Sequence, residues 1–143
     1  MVTLREITRD NWFAVARLQV TEEQSRLFTA PVVFWLAESK YETGFRPVAV
    51  YEDETPVGFA VYVVHEDGTG EIEAVMIDQR HQGRGHGRAA MEQLVGRLRD
   101  RYGCREAVLS HRTANYPAAR LYESMGFRAL GGEEGVVVRR LAL

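Results

Sequence analysis

The chain has 143 residues, with 18 Lys and Arg against 20 Asp and Glu, which gives a formal net charge of −2. Its 45% hydrophobic and 27% charged residues are typical of a folded globular protein, so we predict a single domain over residues 1–143 and exclude a disordered chain. The balanced charge argues against a nucleic-acid partner, because proteins that coat nucleic acid depend on an excess of Lys and Arg.

The first forty residues are predicted to be mostly helical after one short strand. Residues 2–7 alternate between apolar and polar as in a strand, and a helix is expected from residue 11 toward residue 20. Thr21 with the acidic residues after it is typical of a second helix start, and Pro31 begins a third helix that extends to about residue 41.

The middle of the chain has the period of β-strands. Turn-forming residues separate the runs 48–51, 57–64 and 71–77, so we predict an antiparallel meander of three strands. Apolar residues between 85 and 102 then follow the spacing of one helical face, and a strand is expected over 106–110. A strand, a helix and a strand in succession imply at least one parallel strand pair.

The end of the chain is predicted to form a helix over 115–125 and two strands, 127–130 and 136–141. Pro117 lies near the first turn of this helix, and Gly126 is placed to end it. Helices and strands thus alternate around one sheet, and the predicted fold class is mixed α/β.

A glycine-rich segment, Gln82-Gly83-Arg84-Gly85-His86-Gly87-Arg88, lies between a predicted strand and a predicted helix. Glycines let backbone N–H groups approach a ligand closely, and a helix N-terminus adds partial positive charge. Arginines are also concentrated between residues 80 and 105, which favours a local anion site. The segment therefore predicts a phosphate-binding loop.

Other readings of this loop exist. The Gly-x-x-x-x-Gly-Lys motif of nucleoside triphosphatases is absent. Residues 85–90 satisfy the Gly-x-Gly-x-x-Ala fingerprint of dinucleotide binding, and Glu106 lies where a ribose-binding acid is expected, but several residues separate the loop from its strand. A plain strand-to-helix turn is the remaining alternative.

Two segments together resemble the motifs of the GNAT N-acetyltransferases. Residues 82–87 match the Gln/Arg-x-x-Gly-x-Gly/Ala motif, and residues 115–127 are similar to the second motif in order and spacing. Residues 76–78 and 89–92 further resemble the bacterial spermine/spermidine acetyltransferase branch. The resemblance implies an α+β fold with a twisted, mostly antiparallel sheet of about seven strands and about four flanking helices. It also implies a splayed parallel strand pair at the cofactor site.

The resemblance implies that acetyl-CoA is the co-substrate. Its pyrophosphate would lie on the backbone of the glycine loop, and its pantetheine arm would pair with the exposed strand before the loop. An extended arm with amide groups matches an open strand edge. The residues so assigned to the cofactor are Val75, Met76, Ile77, Gln82, Gly83, Arg84, Gly85, His86, Gly87, Arg88, Asn115 and Tyr122.

Acetyl transfer to an amine needs a base for the ammonium proton and an acid for the departing thiolate. Glu73 is the predicted base, with a water relay or a solvent-facing role as alternatives. Glu71 is expected on the same side of the strand, because side chains alternate with a period of two. Tyr122 is the predicted acid, since a phenol stays protonated at neutral pH; packing in the core is its alternative.

The predicted acceptor is a primary amine of a small molecule, first of all a polyamine such as spermidine or spermine. Trp35, Glu71 and Glu73 are the predicted substrate residues, because acids and aromatic rings suit a cation. Peptide or protein amines and aminoglycosides are alternatives, as is a non-catalytic acyl-CoA-binding module. Cys104 is predicted to pack in the core, so we expect direct transfer in a ternary complex.

The sequence gives no indication of a membrane partner or a metal. No run approaches the roughly 18 apolar residues of a membrane span, and the N-terminus lacks the apolar region of a signal peptide, which predicts a cytoplasmic protein. One cysteine cannot form an intramolecular disulfide, and the four histidines lack the spacing of metal ligands. The family resemblance also allows a homodimer.

Overall fold

A seven-stranded sheet organises the computed structural model, which describes residues 1–27 and 30–143. The strand order is β1-β2-β3-β4-β5-β7-β6, and only β4 and β5 are parallel neighbours. This confirms the mixed α/β class, the antiparallel meander and the parallel pair. The strands are β1 (Val2–Glu6), β2 (Arg46–Glu52), β3 (Thr55–Val64), β4 (Thr69–Ile77), β5 (Glu106–Arg112), β6 (Arg128–Gly131) and β7 (Val136–Ala142).

Five α-helices are present in the described residues. A short 3₁₀ turn, Gln79–His81, follows β4, and a π-helical turn, Arg97–Arg101, continues the fourth helix. Pro31 directly precedes the third helix and Asn115 caps the fifth, as the sequence predicts. The helices are α1 (Trp12–Ala16), α2 (Glu22–Ser25), α3 (Val32–Tyr41), α4 (His86–Gly96) and α5 (Tyr116–Ser124).

The N-terminal region is less helical than predicted. The helix expected from residue 11 toward residue 20 ends at Ala16. Its chain then turns toward the end of β4, where the Gln19 N–H donates to a carboxylate oxygen of Asp78 at 3.0 Å and the Gln19 carbonyl accepts from Gln79 N–H at 2.8 Å. Tertiary hydrogen bonds thus replace those that would extend the helix. Residues 28 and 29 lie outside the described part.

Apolar side chains fill both faces of the sheet. On one face, Tyr62, Ile72 and Phe127 pack with residues of α4 such as Leu94. On the other face, Phe59, Val61 and Met76 pack with Val15 of α1, Val32 of α3 and partly buried Trp35. The two layers of helix therefore hold the sheet between them, and Cys104 is buried in the first layer as predicted.

The parallel strands β4 and β5 diverge halfway along their length. Residues 69–72 pair with residues 106–109, and the pairing ends at Ile72 and Leu109. Residues beyond Ile72 still pair with β3 as far as Ile77, so only the edge facing β5 is open. Backbone N–H and C=O groups on an open strand edge need other partners. The divergence therefore creates a place where an extended ligand can complete the sheet.

Candidate active site

A groove of about 980 Å³ lies where β4 and β5 separate. The open edge of β4 forms one wall, the end of β5 and α5 form another, and the glycine loop closes one end. Of the residues predicted for the site, Arg84, Arg88 and Glu71 do not line this groove. Those that do are Trp35, Glu73, Val75, Met76, Ile77, Gln82, Gly83, Gly85, His86, Gly87, Asn115 and Tyr122.

The glycine loop turns its backbone toward the groove. Gly83 and Gly85 have φ values of 76° and 81°, a left-handed conformation that side chains disfavour, and a Cβ at either position would meet no atom within 4 Å. Gly85 is the N-cap of α4 and offers no side-chain cap, so the first N–H groups of α4 lack helical partners. Unpaired N–H groups beside open space fit an anionic group such as a pyrophosphate.

The side chain of Gln82 stabilises the loop through hydrogen bonds to other parts of the protein. Its Nε2 donates to the Ile77 carbonyl at 2.9 Å and to Gln24 Oε1 at 2.8 Å, while Gln24 Nε2 donates to Gln82 Oε1 at 3.0 Å. Gln24 also completes the capping box of α2 with Thr21. The prediction that Gln82 contacts the cofactor can therefore concern only its backbone, since its amide group is already used within the protein.

The two arginines predicted to contact the cofactor, Arg84 and Arg88, do not line the groove. Arg88 is exposed, donates to the Ser124 hydroxyl and lies 3.6 Å from Glu92 one helical turn away. Arg84 is exposed and outside the groove wall. His86 is half-buried, with Nδ1 3.9 Å from a carboxylate oxygen of Glu52. The groups available to an anion at this end of the groove are therefore backbone N–H groups rather than arginine side chains.

Glu73 occupies a β-bulge at the point where the strands separate. Its neighbours Ile72 and Ala74 pair with consecutive residues of β3, Tyr62 and Val61, so Glu73 itself has no partner on that strand. A bulge re-aims a side chain and interrupts the strict alternation on which the prediction for Glu71 and Glu73 depended. The tertiary structure nevertheless keeps the two carboxyl groups within hydrogen-bond reach of each other.

The surroundings of Glu73 favour its protonated form. Burial, a hydrogen bond with Glu71 and the charges of Glu71 and Glu38 raise the pKa of Glu73 from 4.5 to about 7, against a smaller opposing effect of His65. A carboxylate oxygen of Glu71 lies 3.0 Å from His65 Nε2, within hydrogen-bond distance. A carboxyl group with a pKa near neutrality exchanges protons readily under physiological conditions. His65 was not identified from the sequence as part of this site.

Tyr122 lies on the opposite wall, on α5. Its ring packs against those of His111 and Phe127, with 5.9 Å between ring centres in both cases, and no hydrogen bond of its hydroxyl is found within the described residues. Burial raises the pKa of Tyr122 to about 12, so the phenol is protonated across the physiological range. Tyr122 is therefore a protonated phenol on a residue that lines the groove.

Asn115 and Asp78 serve the local fold. The Asn115 side chain accepts a hydrogen bond from Ala118 N–H at 3.3 Å and so caps α5. Asp78 is buried, and although burial opposes its charge, hydrogen bonds from Gln19 N–H and from Arg80 hold the pKa of Asp78 below its usual value. A carboxylate so fully used is a poor base, which leaves Glu73 as the carboxyl group of the groove with an elevated pKa.

Sequence reasoning missed two side chains behind Tyr122. His111 and Arg139 are both buried, with exposed fractions of 8% and 6%, and lie within hydrogen-bond distance of each other. Alternation along β7 places Arg139 on the same face as Leu141, which packs against the core. The available signal in the sequence was an arginine at a strand position whose side chain, by alternation, points to the core.

The described residues, 1–27 with 30–143, contain no cluster of three metal-ligating side chains. Among the helices in those same ranges, none has the length and apolar character needed to cross a membrane.

Comparison with known proteins points to one family. A model of the acetyltransferase (GNAT) family matches residues 2–127. Over 151 aligned residues, the chain is 29% identical to the spermine/spermidine N(1)-acetyltransferase of Bacillus subtilis (strain 168), with 98% of this chain and 99% of that protein covered.

Solved structures share the fold. The ribosomal-protein-S18-alanine N-acetyltransferase from Escherichia coli superposes with a TM-score of 0.76 at 22% identity, covering 99% of this chain and 94% of that one. The spermidine N-acetyltransferase from Vibrio cholerae, solved in complex with CoA and spermine, superposes with a TM-score of 0.77 at 16% identity, with the same coverage.

Proposed function

Because the chain belongs to the acetyltransferase (GNAT) family, whose members use acetyl-CoA, we propose that it acetylates a primary amine of a small polycation, in the first place a polyamine such as spermidine or spermine. One observation carries this proposal. The groove between β4 and β5 joins unpaired backbone N–H groups at one end to a carboxyl group, Glu73, whose pKa lies near neutrality. Binding of an anionic cofactor and removal of a proton are thereby combined in one place.

The cofactor would be held mainly by backbone. We assign the pyrophosphate to the N–H groups of residues 83–88 and the amide-bearing arm to the open edge of β4 at residues 75–77. Bound there, acetyl-CoA supplies a thioester, an activated acyl group for transfer to an amine. The open space at Gly83 and Gly85 supports this assignment, since side chains there would occupy the loop surface.

Glu73 would act as the general base. An alkyl ammonium ion cannot attack an acyl group until it loses a proton, and a carboxylate with a pKa near the working pH accepts that proton efficiently. Glu71 lies beside Glu73 and, although it does not line the groove, would share the proton and add negative charge near the cationic substrate. Trp35 lines the same groove and offers a ring face for a cation.

Tyr122 would act as the general acid. Tyr122 lines the groove, and its pKa of about 12 keeps the proton available for a departing thiolate. Tyr122→Phe is expected to lower kcat by about a hundredfold, because it removes only the proton and leaves the packing of the ring. The dissociation constant for acetyl-CoA, measured by calorimetry, is expected to change by less than about threefold. Wild-type turnover in this variant would refute the assignment.

An amine panel tests the choice of acceptor. Purified protein, acetyl-CoA and one amine at a time would be followed by thiol release, with spermine, spermidine, putrescine, lysine, an aminoglycoside and an alanine-terminated peptide as acceptors. We expect the highest kcat/KM for the polyamines, since three carboxyl groups, Glu38, Glu71 and Glu73, interact electrostatically there. Preference for the peptide would identify a protein acetyltransferase instead. Tight acetyl-CoA binding without turnover of any amine would indicate a non-catalytic binding module.

A further inference from the structure

Arg139 is a buried arginine that no proposed chemical step uses. It lies on β7, and its side chain is only 7% exposed. Burying a guanidinium group costs free energy unless its donors find partners, so its contacts indicate what it stabilises. All three of its nitrogen atoms have partners, and these partners belong to the surroundings of one residue, Tyr122.

The first two contacts reach both neighbours of the Tyr122 ring. Arg139 Nε donates to His111 Nε2 at 2.8 Å, and Nη1 donates to the Phe127 carbonyl at 3.4 Å. His111 and Phe127 are the two residues whose rings flank Tyr122, each with its centre 5.9 Å away. The planar guanidinium group of Arg139, with its fixed donor directions, therefore links His111 and Phe127, the two residues that contact the Tyr122 ring.

The third contact reaches the residue that follows Tyr122 in the chain. Arg139 Nη2 donates to a carboxylate oxygen of Glu123 at 3.0 Å. This ion pair links the last turn of α5 to β7. Because the Glu123 carboxylate is exposed, the pair makes only a modest contribution to stability. The rotation of α5 that sets the direction of the Tyr122 hydroxyl is thus also linked to Arg139.

The contact with His111 determines which ring nitrogen carries a proton. Arginine has donors and no acceptor, so His111 Nε2 must accept, and the proton of the neutral ring lies on Nδ1. From there it is donated to the Arg112 carbonyl at 2.8 Å. His111 is held by a hydrogen bond at both nitrogens, which fixes the plane of the ring against Tyr122.

We propose that Arg139 is a positioning residue for Tyr122, acting by holding His111 and Phe127 in place against the Tyr122 ring. The inference rests on the proposed function, because it takes Tyr122 as the general acid. It adds a residue of β7 that does not line the groove.

Arg139→Met tests the proposal, with Arg140→Met as its matched control. Arg140 is the next residue on β7 and is half-exposed, with its guanidinium 3.5 Å from Glu106. We expect Arg139→Met to lower kcat by about ten- to a hundredfold, the size of effect that a displacement of about 1 Å produces. The dissociation constant for acetyl-CoA and the KM of the amine are expected to stay within about twofold, and Arg140→Met to resemble wild type.

A double-mutant cycle separates positioning from general support of the fold. If Arg139 acts through the Tyr122 hydroxyl, Arg139→Met should cost less than about threefold in kcat once Tyr122→Phe is present. An equal loss in both backgrounds, or no loss in either, would overturn the proposal. If the wild-type protein had low activity with all amines, the proposed function would be refuted instead. Wild-type turnover in Tyr122→Phe alone would refute the assignment of Tyr122 as the general acid.

Nuclear magnetic resonance gives an independent readout. The ¹⁵N shifts of His111 should report a proton on Nδ1 in the native protein and loss of that preference in Arg139→Met. A proton on Nε2 in the native protein would contradict the proposal. If Arg139→Met does not fold, Arg139→Lys carries the same cycle, because lysine keeps the charge and lacks the planar fork that reaches both His111 and Phe127.

Discussion

Gly85→Glu is expected to abolish detectable acetyl-CoA binding. Gly85 has a φ of 81° and begins α4, so the substitution strains the turn and places a carboxylate among the N–H groups assigned to the pyrophosphate. Two like charges about 4 Å apart repel by about 4 kcal/mol at the effective dielectric of a protein surface, which is about a thousandfold in affinity. Isothermal titration calorimetry with acetyl-CoA measures the loss.

Two further variants isolate the cause of that loss. Gly103→Glu is the matched control, because Gly103 also has a positive φ, 65°, and open space for a Cβ, but it does not line the groove. It should carry a similar backbone strain and retain acetyl-CoA affinity. Gly85→Ala adds the strain without the charge and should weaken binding far less than Gly85→Glu. Unchanged affinity in Gly85→Glu would refute the loop assignment.

Glu73→Gln is expected to reduce kcat/KM by about a hundred- to a thousandfold at neutral pH. The amide keeps the size of the side chain at the β-bulge and removes its capacity to accept a proton, a function worth about 10²- to 10⁴-fold. Glu66→Gln, in the exposed turn between β3 and β4, makes the same chemical change away from the groove and should leave the rate unaltered. Rates of thiol release, measured for wild type, Glu73→Gln and Glu66→Gln, test whether Glu73 is the general base.

The pH dependence of the native enzyme follows from the same carboxyl group. With a pKa of about 7, Glu73 becomes a base only as the pH rises through neutrality, so log kcat/KM should fall below about pH 7. Glu71→Gln removes a hydrogen bond and a charge that raise the pKa of Glu73, and should move this limb to lower pH. A limb that does not move would show that another group controls it.

Folding stability should respond in the opposite direction. Glu73 has a higher pKa in the folded chain than its reference value of 4.5, so the folded state binds more protons between about pH 4.5 and 7. Its contribution to the free energy of unfolding is therefore lost as the pH rises through that range. Glu73→Gln, which cannot ionise, should become more stable relative to wild type from pH 5 to pH 8 in urea unfolding.

Local sequence determined much of the fold and the conformation of the glycine loop. Alternating strands, the proline before α3 and the glycines at 83 and 85 act through backbone geometry, which neighbouring residues specify. Helix α1 was overestimated because its end depends on hydrogen bonds with Asp78 and Gln79, sixty residues away in the chain. Family membership confirms the acetyltransferase prediction, whereas the individual residue roles and the polyamine acceptor stay predictions.

By itself, the sequence determined the acetyltransferase family and predicted a phosphate-binding loop, because both depend on short contiguous motifs. Only the tertiary structure decided the environment of the two side chains proposed for chemistry. Glu73 gains its elevated pKa from burial, from Glu71 on its own strand and from Glu38 on α3. The ring of Tyr122 packs against His111 and Phe127, and both of these residues are hydrogen bonded to Arg139. Burial and charge act through space, so residues distant in the sequence, such as Glu38 and Arg139, contribute to both. A linear motif does not show which residues will lie close together in the folded chain.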